Sequence, residues 1–248
     1  MHYRTEGIGE PVLLLHMAVA SSDEFTRVMH ILSKKYRAIA LDFMGFGDSD
    51  PAPREYQIID HAKTMISFMD SLGIKKAIVV GEHIGGKVAL EMAVNWPKRV
   101  DKLVLCSIGY YAEGSKAIID PPGFRDPVEI KADGSHLMEW WRRSAIWGHP
   151  PELLEDRVIE YAKAGPRGEE IHWAGREYDP RPRLPLVKCP TLVLSATYDP
   201  FYKLQESIHS LVPKSQLTII ENGPTDINRA WPKEFAEAIL KFLNKPAT

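Results

Sequence analysis

Short apolar runs rich in valine, isoleucine and leucine alternate along this chain with longer segments of helical periodicity. The strand-like runs are residues 2–5, 12–15, 37–41, 77–80, 103–107, 191–196 and 216–220, and the helical segments are 22–33, 58–72, 85–96, 203–211 and 233–244. Runs such as residues 12–15 are apolar without alternation, as strands are when both faces of a sheet are covered. The pattern predicts an α/β fold with a mostly parallel sheet of about seven strands flanked by helices.

The alternation stops after residue 107 and resumes near residue 186. The interval has no clear strand and is rich in proline, glycine and tryptophan, with two amphipathic segments at residues 136–147 and 151–164. An insertion between two strand–helix units lies at the carboxyl end of an open sheet, where ligands bind. We therefore expect a core of residues 1–111 and 186–248, with a helical cap formed by residues 112–185.

Composition excludes several classes of partner. The 248 residues carry a formal net charge of −2, which gives no basis for binding nucleic acid or a membrane surface. The two cysteines, Cys106 and Cys189, lie in or beside apolar runs and are expected to be reduced core thiols. No apolar run approaches the ~20 residues that span a bilayer. These features favour a cytoplasmic protein with a small-molecule substrate or ligand, and they leave its oligomeric state open.

A glycine-flanked turn carries the most specific motif. Residues 79–86 are VVGEHIGG, an apolar run followed at once by the turn and a helical segment. The segment resembles the nucleophile elbow, G-x-S-x-G, of the α/β-hydrolase superfamily. The glycines suit this motif, because the central residue is strained and neighbouring side chains would collide with the strand and the helix. The resemblance implies an α/β-hydrolase fold of the capped type.

Other landmarks of the superfamily follow in order along the chain. Residues 13–16 (LLLH) resemble the strand before the oxyanion loop, although Met17 replaces the usual glycine, and residues 42–49 match the D-x-x-G-x-G-x-S loop. Residues 192–200 place Asp199 at the position of the catalytic acid. The resemblance implies that the backbone amides of Ile84 and Ala18 are the oxyanion donors, with Met17 beside them.

The catalytic triad departs from the superfamily at two positions. His83 stands at the elbow in place of serine, and Thr225 stands seven residues before Pro232, where the catalytic histidine is expected. Of the three triad positions only Asp199 is kept. A serine mechanism needs an alcohol activated by an imidazole, and neither group is in its place. The usual serine-hydrolase mechanism is therefore excluded.

An imidazole is lost from the loop and gained at the elbow. We hypothesise that His83 fills the space of the serine hydroxyl and part of the missing ring, and that Asp199 orients it directly or through a water. His83 would then act as a general base or, as a second alternative, as a nucleophile. The competing interpretation is that His83 only fills the turn and forms local hydrogen bonds.

The remaining candidates have structural interpretations. His16 is expected to hydrogen-bond within its loop, Asp42 to brace the following loop, and Asp226 to be a solvated loop residue rather than a substitute acid or base. We expect no metal site built from His16, His83 and Asp199, since metal-binding spacing is missing. The aromatic residues expected to line the underside of the cap are Tyr110, Trp140, Trp141 and Trp147.

Two functions remain open on these grounds. The first is a cofactor-independent enzyme that acts on a small carbonyl, ester or lactone substrate through His83, as a hydrolase or in lyase-like or oxygenase chemistry. The second is a catalytically silent ligand-binding or sensor protein of the same fold. Loss of both the serine and the loop histidine favours the second, and the gain of an imidazole at the elbow favours the first.

Organophosphonates and sulfonyl fluorides label an activated serine, and none stands at the elbow. We therefore expect no stoichiometric labelling of the intact protein by mass spectrometry. A covalent adduct on Ser107 or Ser195 would contradict this expectation by revealing a rearranged nucleophile.

Overall fold

Within the residues that the computed structural model describes, 1–111, 126, 128–146 and 148–244, seven strands form one sheet. The strands are β1 (Tyr3–Glu6), β2 (Pro11–Leu15), β3 (Arg37–Leu41), β4 (Ala77–Glu82), β5 (Val100–Cys106), β6 (Thr191–Ala196) and β7 (Gln216–Ile220). Their order across the sheet is β1-β3-β2-β4-β5-β6-β7. β1 pairs with β3 in antiparallel register and every other neighbouring pair is parallel. The predicted mostly parallel sheet is confirmed.

Both faces of the sheet are covered by apolar layers. In β2, Leu13 and Leu15 belong to one buried cluster, while Val12 and Leu14 belong to the cluster on the opposite face. All four side chains have no exposed surface. This two-sided burial explains why the central strands lack an alternation of polar and apolar residues.

Helices connect the strands and cover the two faces. They are α1 (Thr26–Leu32), α2 (Ile58–Ser71), α3 (Ile84–Asn95), α4 (Ser135–Ala145), α5 (Pro151–Ala164), α6 (Glu170–Glu177), α7 (Gln205–Leu211), α8 (Ile227–Ala230) and α9 (Pro232–Leu243). The predicted helix at residues 22–33 divides into a 3-10 turn, Ser22–Phe25, and α1. Helix α6 was not predicted, because it is short and contains Gly175, a poor helix former.

The segment between β5 and β6 is helical where the structure describes it. Helices α4 and α5 pack on each other, and α6 contacts α2 and α3. We call residues 128–146 and 148–186 the inserted segment. Trp147 and residues 112–125 and 127 of the expected cap lie outside the described residues. The division into a core and a cap at residues 112 and 185 stays a prediction.

The first turn of α3 lies unusually close to the end of β2. A Cβ atom added to Gly85 would collide with the carbonyl groups of Leu15 and His16, and one added to Gly81 would collide with Gly85. Only glycine allows this approach of two backbones. The approach brings the start of α3 beside the loop that follows β2.

Gly85→Ala tests this constraint. We expect it to lower the free energy of unfolding by about 2–3 kcal/mol, because the new methyl group meets rigid backbone. Urea denaturation followed by circular dichroism measures the change. Gly168→Ala is the matched control: its φ of −56° suits any residue, and its nearest obstacle is the Ala164 methyl group. The control should stay within about 1 kcal/mol of the wild type. Equal stability of the two variants would contradict the packing argument.

Candidate active site

His83 occupies the turn between β4 and α3 in a strained conformation. Its φ of 48° and ψ of −109° lie outside the regions that L-residues prefer. Strain of this kind persists only where the surroundings impose it, and it concentrates at functional sites. The flanking glycines impose it here, because they let β4 turn directly into α3 and so present the His83 side chain above the carboxyl end of the sheet.

The His83 side chain contacts Asp199, which follows β6. Nε2 of His83 lies 2.9 Å from Oδ2 of Asp199, within the range expected for a direct hydrogen bond. The other carboxylate oxygen, Oδ1, accepts the backbone N–H of Phe201 at 2.8 Å. The His83 side chain is 11% exposed and that of Asp199 is 3% exposed. A carboxylate at Nε2 assigns the proton to that nitrogen, so Nδ1 carries the lone pair of the neutral ring.

Two opposing effects set the pKa of His83. Burial lowers the pKa, whereas the charge and hydrogen bond of Asp199, together with the charge of Asp226, raise it. The net direction is upward from the ordinary value of histidine. Asp199 therefore stabilises the protonated ring, as a general base requires of its partner once it has accepted a proton.

Two backbone amides beside His83 are open. Among the described residues, neither the N–H of Ile84 nor that of Ala18 has a hydrogen-bond acceptor. The amide of Met17 is different, because it donates to Oε1 of Glu24 at 3.2 Å. The expected donors, Ile84 and Ala18, are thus the amides available to a ligand, and Met17 contributes its side chain to the same region.

His16 braces the loop after β2. Its Nδ1 lies 2.6 Å from the carbonyl oxygen of Met17, and its Nε2 accepts the backbone N–H of Phe43 at 2.9 Å. Burial lowers the pKa of His16 to about 4, which keeps the ring neutral. Asp42 braces the next loop, accepting the N–H groups of Ser22 and Asp48 at 2.6 and 2.9 Å. Both residues have the structural contacts expected from the sequence.

A cavity of about 90 Å³ lies above the turn. Met17, Ala18, His83 and Ile84 line it on the side of the sheet, as expected. The inserted segment lines the opposite side with Arg143, Ser144, His149, Arg157, Tyr161, His172 and Gly175. The turn and the inserted segment together enclose the cavity.

Trp140 and Trp141 were expected to line this cavity, but neither is among the described residues that line it. Trp140 is buried and stacks on Tyr161, with ring centroids 5.9 Å apart, and Tyr161 itself faces the cavity. Trp140 thus packs behind Tyr161, the residue that lines the cavity.

Tyr110 is not among the described lining residues either. Its ring packs under the guanidinium of Arg181, and its neighbour Tyr111 lines the cavity instead.

Asp226 is buried, against the expectation of a solvated loop residue. It adopts a left-handed conformation before α8 and lines the cavity, where its Oδ2 lies 3.2 Å from Nε2 of His149. Burial raises its pKa, but the neighbouring cations His149, Arg157 and Arg229 outweigh that effect and lower it. No sequence pattern predicts this second histidine–carboxylate pair, because His149 belongs to the inserted segment and to no motif.

A buried ionic network supports the loop after β2. Arg157 donates to the carbonyl oxygens of Val19 and Ala18, at 2.8 and 3.3 Å, and to Oε2 of Glu160 at 3.1 Å. Glu160 also pairs with Arg229. Burial raises the pKa of the nearby Glu24 to about 8, against the lowering effect of the Arg229 charge. The network holds the carbonyl oxygen of Ala18, while the N–H of Ala18, in the preceding peptide unit, stays open.

Within the described ranges, one group of side chains has the geometry to hold a metal ion: His2, Asp42 and Asp48, whose ligand atoms lie within 4.8 Å of one another. His2 and Asp42 already contact each other at 2.7 Å, and Asp48 pairs with Lys163. These contacts brace the loop of residues 42–49. His83 and Asp199 do not belong to this group.

Comparison with known proteins agrees with this geometry. The family model for the alpha/beta hydrolase fold matches residues 10–144, more than half of the chain. The uncharacterized hydrolase YugF of Bacillus subtilis is 33% identical over 98% of this chain and 92% of its own length. The chain belongs to the α/β-hydrolase family.

Other relatives share parts of the chain or its fold. Haloalkane dehalogenase 2 of Mycobacterium tuberculosis is 32% identical over 48% of this chain, and the match spans only 42% of that protein. An esterase from Thermogutta terrifontis has a similar structure, with a TM-score of 0.81, 24% identity and coverage of 98% of this chain and 92% of that one. At this identity the likeness concerns the fold alone. In the part of the chain that is described, no helix is both long and apolar enough to cross a membrane.

The His83–Asp199 contact makes a testable claim about protonation. Because the folded pKa of His83 is raised, its protonated form stabilises the fold at low pH, and this contribution is lost as pH rises through the folded pKa. Asp199→Asn should lower that pKa by removing the adjacent charge. Asp226→Asn should lower it less, since Asp226 is the weaker influence. NMR titration of the His83 ring protons measures both, and an unchanged pKa in Asp199→Asn would contradict the pairing.

Proposed function

We propose that this protein is a cofactor-independent enzyme of the α/β-hydrolase fold that acts on a small carbonyl, ester or lactone substrate through acid–base chemistry of His83. In this proposal the family's nucleophilic serine is replaced by histidine, and Asp199 is the orienting acid. The observation that carries the proposal is the 2.9 Å contact between His83 and Asp199 at the wall of a cavity. The proposal includes a cytoplasmic location and a cap formed by residues 112–185.

A hydrolytic reaction needs three groups, and the site offers each of them. Nδ1 of His83 accepts a proton from a water molecule as that water attacks the substrate carbonyl carbon. Asp199 stabilises the resulting imidazolium, and the amides of Ile84 and Ala18 donate to the developing oxyanion. When the tetrahedral intermediate collapses, the C–O bond to the leaving group breaks, and the imidazolium returns its proton to the departing oxygen.

The same groups support proton abstraction without hydrolysis. His83 removes a proton from the carbon next to the substrate carbonyl, the C–H electron pair forms the C=C bond of an enolate, and the two amides stabilise the enolate oxygen. The imidazolium then returns the proton to another atom of the substrate. This route requires no nucleophile, so it suits a site without serine. Both routes place a carbonyl oxygen at the same pair of amides, and both depend on the imidazole being neutral at the start.

The names of relatives support a carbonyl-containing substrate. A solved structure with a TM-score of 0.78 is an enol-lactonase of Burkholderia xenovorans, 20% identical over 98% of this chain and 96% of that one. A 2-hydroxy-6-oxo-6-phenylhexa-2,4-dienoate hydrolase of Comamonas testosteroni is 33% identical over 55% of this chain and 49% of its own length. Neither name fixes the substrate here, because the inserted segment shapes the cavity.

A ligand-binding protein without turnover is the rival function. Thr225, at the position of the lost histidine, donates its hydroxyl to the carbonyl oxygen of Tyr198 and so offers no base. The rival keeps the same cavity and the same fold. It differs from the enzyme in one respect that can be measured, which is whether His83 contributes to any turnover.

A turnover screen separates these functions. Wild type and His83→Ala are assayed against esters, lactones, β-diketones and hydroxylated aromatic heterocycles. We expect wild-type turnover of at least one class and a loss of about 10²–10⁴-fold in kcat/KM for His83→Ala, the usual contribution of a general base.

His30→Ala is the matched control for the screen. It removes an imidazole that is exposed and contacts Glu6, away from the cavity, and it should leave kcat/KM unchanged. The control also corrects for slow ester hydrolysis by surface histidines. Equal rates for wild type, His83→Ala and His30→Ala on every substrate would contradict the enzyme proposal and favour a ligand-binding protein.

A further inference from the structure

We propose that the cavity binds a carboxylate group and that Lys87 recognises it, so that the substrate is a small organic acid whose reacting carbonyl lies at His83. This inference rests on the proposed function and deepens it by naming a class of substrate. The claim that the cavity binds a carboxylate concerns binding affinity alone, so it can be tested without measuring turnover.

The described lining of the cavity is rich in basic residue types. Its basic side chains are His83, Lys87, Arg143, His149, Arg157 and His172, whereas Asp226 is the one carboxylate among the described lining residues. Five of these six basic groups lie within 4.0 Å of a carboxylate that balances them, and Lys87 is the exception. The positive charge that could attract an anion to the cavity is therefore that of Lys87.

Lys87 lacks the counter-ion that a buried cation normally has. It is buried on α3, and its Nζ donates to the carbonyl oxygen of Gly175 at 2.7 Å and lies 5.8 Å from the ring centre of Tyr111. Both partners are neutral. Within the described part of the chain no carboxylate lies within 4.0 Å of Nζ, and the acid that acts on it from farther away, Asp179, forms a close pair with Arg181.

Other basic residues of the cavity differ from Lys87 in this respect. Arg157 pairs with Glu160 at 3.1 Å, Arg143 with Glu139 at 3.0 Å, and His149 with Asp226 at 3.2 Å. An ammonium group has three donors, of which the Gly175 carbonyl accepts one. Two donors of Lys87 are therefore available to the oxygens of a bound carboxylate.

Burial without a counter-ion weakens the protonation of Lys87. Burial lowers the pKa of Lys87 to about 7, because no adjacent negative charge offsets the loss of solvent. A carboxylate ligand would supply that charge and form a charge-assisted hydrogen bond, which is stronger than a neutral one. Ile84, Pro200 and Phe201 add apolar surface to the lining, which suits the carbon skeleton of an organic acid better than an inorganic anion.

His83 and Lys87 are close in the chain and belong to the same cavity. His83 directly precedes α3, the N–H of Lys87 donates to the carbonyl oxygen of His83 at 3.3 Å, and both residues line the cavity. A substrate held by its carboxylate at Lys87 would extend along the cavity toward His83. The carboxylate and the reacting carbonyl would then belong to one short molecule.

Isothermal titration calorimetry with benzoate and its neutral isostere benzamide tests the inference. We expect wild type to bind benzoate at least tenfold more tightly than benzamide, and Lys87→Met to abolish that preference while keeping its affinity for benzamide. Lys203→Met is the matched control, since it removes an exposed lysine and should bind benzoate as wild type does. Inorganic phosphate is added as a competitor, and it should displace benzoate only at much higher concentration.

Equal affinity of wild type for benzoate and benzamide would overturn the inference, as would absence of benzoate binding. Equal benzoate affinity in wild type and Lys87→Met would overturn it as well, and displacement by equimolar phosphate would indicate a general anion site instead. If Lys87→Met fails to fold, the comparison of benzoate with benzamide affinity in wild type still tests whether the cavity prefers a carboxylate. His83→Ala should retain benzoate binding, so failure of the catalytic proposal and failure of the carboxylate proposal give different results.

Discussion

The close packing of the first turn of α3 against the end of β2 determines the rest of the site. Gly85 allows the two backbones to touch, and Gly81 lets β4 turn without a side chain in the way. The cost is the strained backbone of His83, at a φ of 48°. The gain is geometric, because the open amide of Ile84 and the loop that carries Ala18 come to lie beside the imidazole. The turn determines where the side chain at position 83 lies, and the imidazole determines which chemical groups stand there.

Electrostatics then gives that side chain its properties. The carboxylate of Asp199 counteracts the effect of burial on His83, and its second oxygen is held by the Phe201 amide. A second histidine–carboxylate pair, His149 and Asp226, faces the same cavity. Here the effect of burial exceeds that of the carboxylate charge, so the pKa of His149 is lowered. The pKa values of the two imidazoles are thus shifted in opposite directions. With His172, three imidazoles line the described part of the cavity.

Much of the fold followed from local patterns in the sequence, whereas the cavity did not. Two-sided apolar strands, glycine at the elbow and the position of Asp199 each depend on residues close together in the chain, which a pattern reveals. The cavity wall depends on which face of an inserted helix turns inward. Trp140 was expected there and packs behind Tyr161. The sequence does not single out Lys87 or His149, because no motif marks a lysine one turn into α3 or a histidine in a proline-rich connection. It predicts a solvated Asp226, since the partner of this residue lies far away in the chain.

The central claim is that His83, oriented by Asp199, is the base. It is tested most directly by kcat/KM as a function of pH, for wild type and Asp199→Asn with the best substrate. A base must be neutral, so the rate should rise with pH through the raised pKa of His83 and reach a plateau. In Asp199→Asn the rise should move to lower pH and the plateau should fall. A profile that rises at the same pH in both proteins would contradict the claim, because the titrating group would then be insensitive to Asp199.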